Sequence, residues 1–226
     1  MLDVLIKNNQ FIAFNKPSGI AVQPDKTGDP SFLDQAEAYC KHPLQLVHRI
    51  DRPVSGIVLF AKSKAAMTAL SRQFQARTVD KEYLAVVQQL PPEPEATLVH
   101  FLRKQTGKNT VMAFAGESSG SERAELHYRV AGSSERYHLL HIQLLTGRHH
   151  QIRSQLAAIG CPIRGDVKYG FRRNNPDHSI QLHAWRLAFD HPVSGSRIQL
   201  EAPLPNDPVW RAFAEVITGL NEIKPQ

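Results

Sequence analysis

Residues Leu46–Ala61, LVHRIDRPVSGIVLFA, decide how this chain is read. A polar, proline-containing segment, His48-Arg49-Ile50-Asp51-Arg52-Pro53, runs through Ser55-Gly56 into Ile57-Val58-Leu59-Phe60. That apolar run has the length and β-branched content of a buried strand, so the pattern predicts a loop poised on a core strand. Asp51 stands between Arg49 and Arg52, and nearby positive charge favours the ionised form of a carboxylate. An ionised carboxylate on a rigid base can act as a nucleophile or as a general base.

The chain has 226 residues, enough for one large domain or two small ones with a sizeable core. A formal net charge of +6 points to an anionic partner, with nucleic acid or a membrane surface as the leading classes. No run approaches the roughly 18 apolar residues a membrane span needs, and MLDVLIKNNQFIAF lacks the layout of a signal peptide. A cytoplasmic protein with no membrane association is expected, and no obligatory protein partner is evident. Cys40 and Cys161 are too few for a disulfide scaffold or a cysteine metal site, so both read as reduced core-type residues.

Ahead of the opening stretch, Val4-Leu5-Ile6 and Phe11-Ile12-Ala13-Phe14 flank a polar turn and predict a hairpin. Asn15-Lys16-Pro17-Ser18-Gly19 then reads as a turn, and Ser31 as the cap of a helix carrying Phe32, Leu33 and Ala36. After the core strand, Ser63 caps a helix with Ala66, Leu70 and Phe74 on one buried stripe. Lys81–Val87 alternates as a strand, with Tyr83, Ala85 and Val87 on one face. Beyond the Pro91–Glu95 break, Thr97–Leu102, Thr110–Phe114, Ala124–Val130 and Tyr137–Leu145 are strands, the last two joined through Gly132-Ser133-Ser134. Leu182–Pro192 predicts a further strand, and Trp210, Phe213, Val216 and Ile217 one face of a terminal helix.

The second informative stretch is Leu144–Gly170, LLTGRHHQIRSQLAAIGCPIRGDVKYG. A helix begins near His149, buries Ile152, Leu156 and Ile159, and stops at Gly160. Arg153 borders the buried stripe and can reach a carboxylate. Arg148, Arg153, Arg164, Lys168, Arg172 and Arg173 face the single acid Asp166, which concentrates positive charge here in a form suited to a nucleic acid backbone.

Five strings in this order carry a family likeness: KPSG at Lys16–Gly19, HRIDRPVSGI, the K-E-Y-L-A-V-V strand from Lys81, TGRHHQIRSQL with GCPIRGDVKYG, and LHAWRLAFDHP. Together they resemble the RluA-like family of RNA pseudouridine synthases and cover most of the chain. The departures are small: Ile50 for leucine, Val54 for threonine, and His149 where threonine or serine is more usual. The resemblance implies an α+β fold with a mixed, largely antiparallel sheet, flanking helices and a central RNA-binding cleft, in a single catalytic domain over residues 1–226. Family members often carry a small N-terminal RNA-binding domain of the S4 type; the first strand begins almost at Met1, leaving no room for one.

The resemblance also implies the site: Asp51 as the catalytic residue, Arg153 as its partner, and Tyr83 against the target base. His48, Arg49, Arg52, Arg148, His150, Arg164 and Lys168 are expected on the RNA side, with Arg49 filling the place of a flipped-out base, and Leu182 as a packing residue. Breaking and remaking a uridine glycosidic bond needs neither redox change nor energy input, so no cofactor is implied. Whether Asp51 attacks the ribose C1′ or takes a proton from C2′ stays open, as does the substrate, tRNA or ribosomal RNA. The HRIDRP spelling leans toward tRNA-modifying relatives. A metal hydrolase built on His149-His150 with His138, His141 or His183 is disfavoured, because adjacent helical histidines point about 100° apart and no acidic ligand set accompanies them. A non-catalytic RNA-binding module explains the charge but has no use for a protected Asp-Arg pair.

Overall fold

The computed structural model describes residues 2–222, and its contacts divide the chain into two compact units. The first comprises the chain up to Glu82 together with His183–Pro203; the second comprises Tyr83–Leu182 and the chain from Leu204 onward.

The first unit begins with the hairpin β1 (Asp3–Lys7) and β2 (Phe11–Lys16). Asn8 forms its corner by accepting the Gln10 and Phe11 N–H groups on Oδ1 at 2.8 and 2.9 Å. β2 pairs antiparallel with β4 (Ser55–Ala61), from Phe11 opposite Ala61 to Lys16 opposite Gly56, and β3 (Gln45–Leu46) caps the far end of β4. Every residue of β4 is buried. This follows from its covering on both faces, which turns an alternating pattern into a continuous apolar run. On one face Phe11, Ala13, Ile57, Leu59 and Ala61 pack with Ala66 and Leu70 of α2 (Lys64–Ala76). On the other, Phe14 and Phe60 meet Phe32 of α1 (Phe32–Cys40) with ring centroids 5.6 and 6.3 Å away. Both helices start where the sequence places caps: Ser31 forms a reciprocal capping box with Asp34, and the Ser63 hydroxyl accepts the Ala66 N–H.

The other edge of β4 pairs parallel with β10 (Leu182–Asp190), His183 opposite Ser55 and Ala184 opposite Gly56. Gly56 has φ +114°, and a Cβ placed on it would lie 2.2 Å from the Ala184 carbonyl oxygen. Only glycine fits there. Beside it the Ser55 hydroxyl donates to His183 Nδ1 at 2.8 Å, while His183 Nε2 donates to the Ala202 carbonyl at 3.3 Å. A carbonyl can only accept, so the His183 proton sits on Nε2 and the ring is neutral. Burial holds its pKa down at about 4, only partly opposed by that hydrogen bond to Ala202. β11 (Arg197–Glu201) completes the unit as the antiparallel partner of β10. The sequence reading missed this strand, whose two apolar residues, Ile198 and Leu200, sit between a glycine turn and a proline.

In the second unit β5 (Asp80–Val87), β9 (His138–Leu144), β8 (Glu122–Ser133), β6 (Glu95–Lys104) and β7 (Val111–Phe114) lie side by side in that order, β9 to β7 antiparallel throughout. β8 runs on through Gly132 and Ser133, predicted as a turn, by way of a bulge after Val130. The missing side chain leaves room there for Val216, whose Cγ1 would lie 3.0 Å from a Cβ on Gly132. α3 (Gln151–Ala158) buries Ile152 and Leu156 and ends before Gly160, at φ +78°. A 3-10 turn, Val167–Tyr169, follows. The terminal helix divides into α4 (Pro208–Arg211), capped by Asp207, and α5 (Ala214–Glu222); the tighter hydrogen bond from Phe213 N–H to the Trp210 carbonyl marks the break. Trp210, Phe213 and Ile217 are buried as the periodicity requires. The mixed, mostly antiparallel α+β architecture expected from the sequence is present. Of the two cysteines, Cys161 is buried and Cys40 partly exposed.

Two outcomes follow from the seam between β4 and β10. Gly56→Ala combines a positive φ with a collision against main chain, and will cost at least about 3 kcal/mol in urea unfolding or leave the protein insoluble. As pH falls from about 6.5 to about 4, the unfolded chain takes up a proton that folded His183 does not, so stability falls with pH. His183→Asn, which cannot titrate, will be less stable at pH 7 but will lose about 3 kcal/mol less across that window, read from urea midpoints against pH.

Candidate active site

Asp51 lies in the first unit on the loop joining β3 to β4, and almost every main-chain corner of that loop is held. His48 Nε2 accepts the Leu59 N–H at 3.2 Å, and its ring stacks on Phe74 at 5.1 Å. Burial lowers the His48 pKa to about 4 and the charge of Lys81 pushes the same way, so the ring stays neutral and able to accept. The Asp51 carbonyl accepts the Val54 N–H at 3.0 Å, closing the turn through Arg52-Pro53. The Arg52 carbonyl accepts the Gly19 N–H at 2.8 Å and the Lys16 ammonium at 3.4 Å.

Lys16 is the residue the sequence reading passed over. It ends β2 with no exposed surface, and Nζ also donates to the Pro17 and Ile20 carbonyls at 2.7 and 2.9 Å. Burial brings its pKa down to about 7; the Asp51 carboxylate opposes this and the Arg52 charge adds to it. A buried cation that feels Asp51 is thus built into the KPSG turn. The available signal was a lysine directly at the end of an apolar strand and ahead of the Pro17 turn.

Two residues expected on the RNA side of this loop are otherwise engaged. The Arg52 guanidinium donates to Asp25 at 3.0 Å, Asp29 at 2.9 Å and the Thr27 hydroxyl at 2.7 Å, pinning the 25–29 loop. Two carboxylates already balance its charge. His48 is neutral and accepts from main chain, which makes it a loop anchor. Arg49 is exposed.

In the second unit Tyr83 lies partly buried on β5, and Leu182 is buried at the start of β10. Arg153, on the first turn of α3, is 4 % exposed, and Asp166 1 %. Arg153 Nε donates to Asp166 Oδ2 at 2.7 Å and Nη2 to Oδ1 at 2.8 Å, a fork against a carboxylate. Tyr169 lies beneath, its ring centroid 5.0 Å from the guanidinium carbon. Its hydroxyl accepts the Val111 N–H at 2.9 Å and pairs with His150 Nδ1 at 2.8 Å. The sequence reading did not single out Asp166 or Tyr169 for the site; their spacing in GDVKYG across the 3-10 turn is the signal that could have found them.

His150 is buried at a left-handed residue, φ 52°, heading α3 and stacked on His149 at 3.8 Å. Its hydrogen bond to Tyr169 makes it part of this framework. Arg164 is likewise turned inward, donating to Asn175 at 2.7 Å and Gln181 at 3.0 Å and lying over Tyr137. Arg148 stays partly exposed beside Glu122 at 2.7 Å, and Lys168 is exposed.

The family model described as RNA pseudouridylate synthase matches residues 10–158. The chain belongs to the RNA pseudouridylate synthase family. An uncharacterized RNA pseudouridine synthase of Mycoplasma pneumoniae is 32 % identical over 224 residues, covering 97 % of this chain and 71 % of its own length. Ribosomal large subunit pseudouridine synthase D of Nitrosomonas europaea is 35 % identical over 222 residues, covering 91 % and 63 %. The fold is shared with human RNA pseudouridylate synthase domain containing 1, at a TM-score of 0.75 and 22 % identity over 100 % of this chain and 97 % of that one. The protein is therefore an RNA pseudouridine synthase, an isomerase acting on RNA. Among the described residues no helix is long and apolar enough to cross a membrane.

Removing the Arg52 anchor tests the assignment of the 25–29 loop. Ion pairs as exposed as these contribute little, so Arg52→Ala will lose only about 1 kcal/mol of stability by thermal unfolding. The same variant will be cut by trypsin after Lys26 several-fold faster than wild type in limited proteolysis.

Proposed function

We propose that this synthase isomerises uridine in ribosomal RNA through Asp51, with Tyr83 and Arg153 completing the catalytic set and the two units acting as one catalytic domain. The observation that carries the reading is the Asp51 loop itself: a family-matching aspartate whose adjoining main chain is held by Val54, Gly19 and Lys16, on a loop that His48 anchors to β4. Such a loop presents a carboxylate without rearrangement, which is what an attack on an oriented sugar demands.

The reaction breaks the N1–C1′ bond of uridine and forms a C5–C1′ bond, N1 gains a proton, and the C5 hydrogen leaves to solvent. Asp51 acts at C1′ as nucleophile or at C2′ as base. Tyr83 stacks on the uracil and assists loss of the C5 proton. Arg153 keeps Asp51 ionised and oriented; removing a buried charge of this kind costs roughly 3–5 kcal/mol. The base must leave the stack to be reached, at a few kcal/mol, and exposed Arg49 occupies the vacated place. Arg148 and Lys168 contribute salt-dependent attraction to the RNA backbone. The preference for ribosomal RNA rests on relatives named for the large ribosomal subunit, such as the Nitrosomonas and Vibrio cholerae enzymes, against the lean toward tRNA in the HRIDRP spelling. A cytoplasmic site of action is part of the same proposal.

The test is tritium release from RNA labelled at uridine C5, with ribosomal RNA and tRNA offered separately. Wild type will release tritium from ribosomal RNA, and Asp51→Asn will fall by at least about 10⁴-fold while still binding the RNA. Release from tRNA alone would move the substrate to tRNA, and full activity of Asp51→Asn would remove Asp51 from the chemistry.

A further inference from the structure

We infer that Asp166 is a positioning residue for the isomerisation: it locks the Arg153 guanidinium in one orientation, with Tyr169 as the plate beneath. This rests on Arg153 being the arginine that serves the catalytic carboxylate.

A guanidinium on a long side chain is ordinarily free to rotate, and an orienting arginine is useful only if that freedom is removed. Here it is removed from two directions. The Asp166 fork takes Nε and one hydrogen of Nη2 at 2.7 and 2.8 Å, which defines the plane and the direction of the group. Of its five donors, the fork leaves Nη1 and the second Nη2 hydrogen for other acceptors. The Tyr169 ring, 5.0 Å below, supports the face.

Each support is itself anchored. The Asp166 carbonyl accepts the Tyr169 and Phe171 N–H groups, both at 3.0 Å, and its own N–H donates to the Ile163 carbonyl at 3.0 Å. Tyr169 is tied to β7 through Val111 and to the head of α3 through His150. The chain spends a buried carboxylate, an aromatic ring and a strained histidine, φ 52°, on one arginine. Charge balance alone would require only the carboxylate. The additional ring and its two tethers fix direction, which points to positioning.

The experiment compares single-turnover isomerisation rates and RNA affinity for Asp166→Asn, Asp166→Glu, Tyr169→Phe and Arg153→Ala in the full chain. Misplacing a catalytic group by about 1 Å costs on the order of 100-fold in rate. Asp166→Asn is expected to lose about that factor with RNA affinity within about twofold, and Asp166→Glu to recover part of it. The Arg153 Nε–H resonance in the nitrogen–proton NMR spectrum reports the fork directly, and is expected to shift and exchange faster in Asp166→Asn. Because Asp166→Asn leaves a buried arginine charge less well balanced, Asp166→Glu and Tyr169→Phe supply variants that keep the fold testable; each is expected to slow the reaction at least about fivefold at unchanged affinity.

An Arg153→Ala enzyme that is slow, beside Asp166 and Tyr169 variants as fast as wild type, overturns the positioning role and leaves the reading of the site intact. An Arg153→Ala enzyme as fast as wild type overturns the role of Arg153 and the positioning role with it.

Discussion

The contact on which the first unit depends is between two stretches of main chain. β4 runs beside β10 so closely at Gly56 that a single methyl group would strike the Ala184 carbonyl oxygen. That approach places Ser55 against His183, turns Lys16 inward opposite Gly56, and delivers the preceding loop at a defined height above a strand that is buried along its whole length. A strand covered on both faces cannot slide or tilt without opening cavities, and close-packed interiors resist that strongly. The rigidity of the Asp51 loop is borrowed from β4.

Three basic side chains, Lys16 and Arg52 in the first unit and Arg153 in the second, are treated differently. Lys16 is desolvated and bonded only to carbonyls, so its ammonium form is held weakly and its pKa is brought down to about 7. Arg153 is as deeply buried but faces a carboxylate in a bidentate fork. Arg52 stays at the surface, where its ion pairs to Asp25 and Asp29 are worth little energy and serve chiefly to tether a loop. The depth of each cation, more than its proximity in sequence to Asp51, sets what it does.

That distinction marks the limit of what the chain's letters disclosed. The strands and helices were legible because burial writes a period into the sequence: the caps at Ser31 and Ser63, the apolar run of β4 and the stop at Gly160 all appear where the pattern puts them. β11 was too short to show a period, and the split between α4 and α5 arises from one tightened turn that residue type does not announce. At the site, motif likeness singled out Asp51, Tyr83 and Arg153, assigned Arg49, Arg52, Arg148, Arg164 and Lys168 to RNA, and left Lys16 without a role. Sequence shows that an arginine is charged; it does not show whether a carboxylate 23 or 27 residues away, as Asp29 and Asp25 are from Arg52, already holds it. The inward turn of Arg164 toward Asn175 and Gln181, and of Lys16 toward three carbonyls, escaped notice for the same reason.

The division of the chain imposes an order on its synthesis. The first unit is interrupted by Tyr83–Leu182, so β4 leaves the ribosome long before β10, the strand that must cover its open edge. Until His183 and Ala184 arrive, β4 has one edge paired by β2 and the other covered only at Phe60 and Ala61 by β3, the situation in which unfinished sheets pair with the wrong partner. The segment translated in the interval carries its own antiparallel ladder, β9 through β8 and β6 to β7, whose strands lie close in sequence and so pair quickly. A nascent chain stalled before Leu182 would therefore be a chaperone client with a largely built second unit and an incomplete first one.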